Sequence, residues 1–122
     1  MSTPADPAAY IAAVLALYTD LPDTTLRVSA SDHLLARRFF EQQLPLTLVE
    51  TALLLASLRR LARPADAPPL SPIRSLAYFQ PVIDELQIHP VDESYLEYLR
   101  LKMRRASTLS ATAQKPTFSD DR

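Results

Sequence analysis

Apolar residues recur along this chain at the three- and four-residue spacing of a helix, and prolines break the pattern into segments. Tyr10, Ile11, Val14, Leu17, Tyr18 and Leu21 form the first stripe, the signature of an amphipathic helix. Asp6-Pro7, or Thr3-Pro4 one turn earlier, supplies its start, because a first-turn proline lacks only a donor the helix does not use. Pro22 is expected to end it. A second helix opens at Ser29 with Asp32 at capping-box spacing. Leu34, Leu35, Phe39 and Phe40 supply its buried face, and Pro45 is predicted to close it.

The stretch LPLTLVETALLLASLRRLAR, from Leu44 through Arg63, is apolar nearly all the way round until its final turn. A helix without a solvent face must be enclosed by other helices, so it marks the centre of the domain. Thr47 and Glu50 stand at capping-box spacing and are predicted to open it. Residues 63–72, RPADAPPLSP, read as a stiff exposed connector. Ser71-Pro72 then predicts a fourth helical segment carrying Ile73, Leu76, Phe79, Val82, Ile83 and Leu86. Pro81 should kink or split that segment and Pro90 stop it. Asp92 caps a last helix, with Val91 and Leu96 placed as a hydrophobic staple and Leu96, Leu99 and Met103 facing inward beside Tyr95. Residues 107–122 have little to bury and read as a disordered tail. The expected fold is all-α: a compact bundle of about five helices around a central apolar helix (residues 47–61). A helix-turn-helix-like pair lies at 29–62, within a single domain spanning 1–106.

Composition narrows the functional classes. The 122 residues include eleven prolines but no glycine and no cysteine. Without glycine a Walker loop, a dinucleotide fingerprint and a nucleophile elbow each lack their essential residue. Without cysteine there are no disulfides, thiolate metal sites or cysteine nucleophiles. No basic region precedes an apolar run at the N-terminus, and the Leu53–Leu55 run is too short and too interrupted to span a bilayer. A cytoplasmic protein with no membrane association is expected.

The candidate catalytic groups are sparse. His33 and His89 are far apart in sequence and lack the helical spacing of a zinc pair. In Asp84-Glu85 and Asp92-Glu93, neighbouring side chains on a helix point about 100° apart and do not converge on one atom. Solvation and helix-end charge explain them. No catalytic residue, metal site, cofactor or small-molecule substrate is expected, and the chain does not read as an enzyme.

The basic residues carry more. Net charge is −1, yet between residues 27 and 63 six arginines face three acids. Arg37 and Arg38 lie in the second helix, Arg59, Arg60 and Arg63 end the third, and Arg100, Lys102, Arg104 and Arg105 end the last. Basic last turns also complement the helix dipole, so each cluster has a structural explanation of its own. Brought onto one face, they would form a phosphate-binding surface with little sequence preference. The front of the third helix offers Leu48, Val49, Leu53 and Leu54 where a recognition helix needs polar side chains. Tyr78, Phe79, Tyr95 and Tyr98 are candidate stacking platforms for bases or, at helical spacing, core residues.

Three short stretches also resemble one known family. Asp32, Leu35-Ala36 and Phe39 are followed by Pro45-Leu46-x-x-Val49-Glu50-x-Ala52-Leu53-x-x-Ala56, then by Ser75-Leu76-x-Tyr78-Phe79-x-x-x-Ile83. Over roughly residues 29 to 88 this order resembles the C-terminal helical domain of DnaD-type primosomal replication proteins. Phe79 and Ile83 match that family's aromatic and isoleucine, while Gln87 stands where its tryptophan would be. The resemblance implies a helical adaptor that binds DNA and replication partners without catalysis.

Two functions follow as expectations. The first is a non-catalytic adaptor associated with nucleic acid, in replication or a mobile element, contacting single- or double-stranded DNA through the nine basic residues named above. The second is a protein–protein interaction module, or small helical regulatory subunit, that binds a protein partner or a second copy of itself.

Overall fold

The computed structural model describes residues 3–24 and 27–119, with side chains through Ala106. It is an all-α bundle of five helices with one 3₁₀ turn: α1 Pro7–Thr19, α2 Ala30–Glu41, α3 Leu46–Leu61, the turn Leu76–Phe79, α4 Gln80–Ile88 and α5 Glu93–Ser119. The central helix is α3. It packs against α1 on one side, α4 and the 3₁₀ turn on another, and α5 on a third. Val49, Ala52 and Leu53 are sealed within that enclosure, as a helix with no polar face requires.

The first two helices begin as their sequence directs. The Asp6 carboxylate accepts from the Ala9 amide at 2.9 Å ahead of Pro7. Ser29 and Asp32 complete a reciprocal capping box, Ser29 Oγ accepting from Asp32 N and Asp32 Oδ2 from Ser29 N. The stripe Tyr10, Val14 and Tyr18 is wholly buried, as are Phe39, Phe79 and Ile83, the last two being the matched pair of the family resemblance.

Several starts and stops differ from the sequence reading. Pro45 does not close α2. The helix ends four residues earlier in a Schellman motif, with Leu44 N bonded to Phe39 O and Gln43 N to Phe40 O. Gln43 takes the left-handed conformation (φ 60°) that glycine usually fills, because this chain has none. Pro45 instead precedes α3 as its N-cap. The expected Thr47–Glu50 capping box is absent: both residues lie inside the helix, and Glu50 is buried. The Leu46 amide is met from outside, by the Thr3 hydroxyl at 3.0 Å, a partner no local pattern reveals.

Leu34, expected in the core, is 62% exposed, and Asp32 takes an inward position on α2 instead. The fourth helical segment does not start at Ser71-Pro72. Residues 70–75 are extended, Ile73 bridges to Thr24, and Ser75 caps the 3₁₀ turn through the Ala77 amide. Pro81 splits the segment as predicted, sitting in the first turn of α4 where its missing donor costs nothing. Finally, α5 runs from Glu93 to Ser119, beyond the basic pair Arg104 and Arg105.

Candidate interaction surface

The three arginines that end α3 all sit along one shallow depression of about 460 Å³. Ala56, Arg59 and Arg60 line it from α3 at three- and four-residue spacing, with Arg63 just past the end of that helix. Leu70 of the connector, Tyr78 of the 3₁₀ turn and Pro81 and Val82 of α4 complete the lining. The floor is apolar and open: Leu70 is 42% and Tyr78 44% exposed.

Each arginine has a different partner. Arg59 grips Glu85 with both nitrogens, at 2.9 and 2.8 Å, the bidentate geometry that suits a guanidinium to a carboxylate. The hydrogen bond from Arg59 holds the Glu85 carboxyl below its ordinary pKa. Arg60 is a clasp: it pairs with Asp23, donates to Ser71 O at 3.0 Å and Tyr78 Oη at 3.2 Å, and lies over the Tyr78 ring. Burial opposes its charge, while the bonds it donates to Tyr78 and Asp23 favour it, and its pKa is raised overall. Arg63 has a neutral partner, donating to Pro68 O at 2.7 Å. Its charge is exposed with no carboxylate beside it among the described residues.

The other basic residues do not join this surface. Arg100 lines a separate depression with Leu17, Leu46 and Glu50, between α1, α3 and α5. It donates to both oxygens of Glu50, at 2.9 and 2.7 Å, and to Glu97. Lys102 lies over the Tyr98 ring, and Arg104 and Arg105 are exposed on α5. Arg37 and Arg38 are exposed on α2, where no hydrogen bond or ion pair holds them among the described residues. Nor does α3 present a free front to a DNA groove: Leu46, Val49, Glu50 and Leu53 are all buried.

The carboxylates flagged in the sequence serve local ends. Asp84 accepts from Gln80, Glu85 from Arg59 and Asp92 from Ser94. Among the described residues no group of three or more His, Asp or Glu side chains converges as a metal site would require. No helix there is long and apolar enough to cross a membrane.

Two acids that the sequence offered only as capping residues make long-range contacts that no local spacing reveals. Asp32 caps α2 with one oxygen and with the other accepts from the Leu76 amide at 2.9 Å, tying α2 to the 3₁₀ turn. Glu50 anchors α5 to α3. The only hint was an acid amid an otherwise apolar helix, which must find a partner once buried. Compared with models of known families, with curated proteins and with solved structures, the chain matches none of them.

Proposed function

We propose that this chain is a non-catalytic protein–protein interaction module that receives its partner in the depression between the end of α3, the connector and α4. One observation carries the reading. The floor of that depression is exposed hydrocarbon and tyrosine, while Arg59 and Arg60 on its rim are already engaged by carboxylates of the same chain. A phosphate would have to displace Glu85 or Asp23 to reach them. An apolar segment can cover Leu70, Tyr78 and Val82 with those pairs intact, and Arg63 offers one uncompensated charge to an acid on the partner.

A photo-crosslinking side chain at position 70 tests this in the full chain. A discrete protein adduct that disappears when Val82→Glu is added supports the reading. Labelling that is indifferent to Val82→Glu removes it.

The nucleic-acid adaptor implied by the family resemblance is the second reading. What favours it is the exposure of Arg37 and Arg38 without partners. Fluorescence anisotropy with labelled single- and double-stranded oligonucleotides across a salt series separates the two. Binding that weakens linearly in log salt and is lost in Arg37→Ala/Arg38→Ala supports the adaptor. No binding at low salt eliminates it.

A further inference from the structure

The connector has a second face, turned away from the depression. Four prolines fall between residues 64 and 72. Each fixes its own φ near −65° and pushes the residue before it to extended geometry. Ala67 closes a turn on Pro64, and beyond it the restrictions on Pro68, Pro69, Ser71 and Pro72 favour polyproline II geometry, three residues per turn, with Leu70 the one residue they do not reach.

On one edge Ala67 is half-buried and Ile73 is 2% exposed, while Leu70 between them remains 42% exposed on the floor of the depression. The other two edges, Pro68–Ser71–Arg74 and Pro69–Pro72, are exposed. Two carbonyls lock the strip in place: Pro68 O accepts from Arg63, and Ser71 O from Arg60. At its far end the Ile73 amide donates to Asp23 O at 2.8 Å.

We infer that Pro69-Leu70-Ser71-Pro72-Ile73-Arg74 is a preformed docking ridge for a domain that reads polyproline II helices through an aromatic-lined groove bordered by acidic side chains. The two outward edges supply what such a groove takes: prolines three residues apart, about 9 Å along the helix, with a cation just beyond them. Arg74 is exposed and holds no partner among the described residues, so its guanidinium is available to a carboxylate at the end of the groove. Of the two residues such a groove leaves outside, Ile73 is buried in this fold and Leu70 is exposed beside the depression. Because folding has already ordered the strip, binding loses less conformational entropy than a free peptide would. The contacts proposed for the groove, Pro69, Pro72 and Arg74, are not part of the depression's lining.

The test titrates the full chain into a purified SH3 domain of the type that accepts Pro-x-x-Pro-x-Arg ligands, followed by calorimetry. A free peptide spanning residues 67–75 is titrated alongside. The expected result is saturable binding of the full chain, at least as tight as that of the peptide. Arg74→Glu and Pro72→Ala should each weaken it by about tenfold or more, and Val82→Glu should leave it unchanged. Arg74→Glu is a surface change with no partner to lose, and its unaltered thermal melt confirms that the fold is kept. Peptide binding without binding of the full chain would show that the ridge is inaccessible and overturn the inference. So would failure of both to bind, or binding indifferent to Arg74→Glu.

Discussion

Each end of α3 is joined to a neighbouring helix by an arginine clamped bidentately on a glutamate, and the same chemistry has opposite consequences. At the front, Glu50 and Arg100 join α3 to α5 with side chains 10% and 26% exposed. At the rear, Arg59 and Glu85 join α3 to α4 with 51% and 41% exposed. Water competes weakly for the first pair and freely for the second. A pair shielded from solvent fixes the geometry of the fold because neither partner can be left alone. An exposed one contributes little stability and leaves its surface open to other molecules. The front is further closed by Tyr10, whose hydroxyl donates to Leu44 O at 2.8 Å, and by Thr3 on the Leu46 amide. The rear has only the Arg60 clasp and the connector beyond it.

The sharpest way to break this contrast is Glu50→Ala, which removes the bidentate partner and leaves Arg100 only its bond to the exposed Glu97. It should cost about 2–3 kcal/mol and lower the melting temperature by roughly 10 °C. Replacing both partners with leucine should recover most of that loss. Equal melts for the single and double variants would show that the pair is not what holds α5.

Alkaline denaturation probes the same end. Burial pushes the Tyr10 hydroxyl up to about 12 from its ordinary 10.0, so the folded state retains a proton that the unfolded chain gives up. That contribution is complete below pH 10 and is lost as pH rises towards 12. Tyr10→Phe should flatten the fall in stability across that window while losing the bond to Leu44.

A smaller effect is expected of Thr3→Ala, which removes the cap on Leu46 and should cost roughly 0.5–1 kcal/mol. The smallest belongs to the rear pair. Glu85 has its pKa lowered from 4.5, chiefly by the hydrogen bond from Arg59. Its contribution is therefore present above pH 4.5 and disappears as pH falls through the lowered value. Arg59→Ala should lower the neutral-pH melt only slightly and remove the slight acid dependence with it. A large loss of stability would place the rear pair in the same class as the front one.

The helix periods, the Ser29–Asp32 box, the Asp6-Pro7 start and the enclosure of α3 were legible in the chain because local spacing and burial dictate them. The same is true of the gathering of Arg59, Arg60 and Arg63 around the end of α3, because they are close in sequence. Their partners were not legible. Glu85, Asp23 and Glu50 lie 26, 37 and 50 residues from the arginines that hold them, and no periodicity links such distances. Capping signals misled where tertiary contact supplied a better donor or acceptor: Thr47 and Glu50 have box spacing, but Thr3 caps the helix and Glu50 is drawn into the core.

The sequence by itself determined an all-helical chain, proline-punctuated and centred on one apolar helix, because hydrophobic period and backbone restriction act over a few residues. Only the tertiary structure decided which charges are consumed inside the fold and which remain outside. It likewise decided that the connector buries Ile73 and leaves Pro69, Pro72 and Arg74 outside. Both depend on which distant segments meet, and the strength of an ion pair or the accessibility of a proline is set by the water that those meetings exclude.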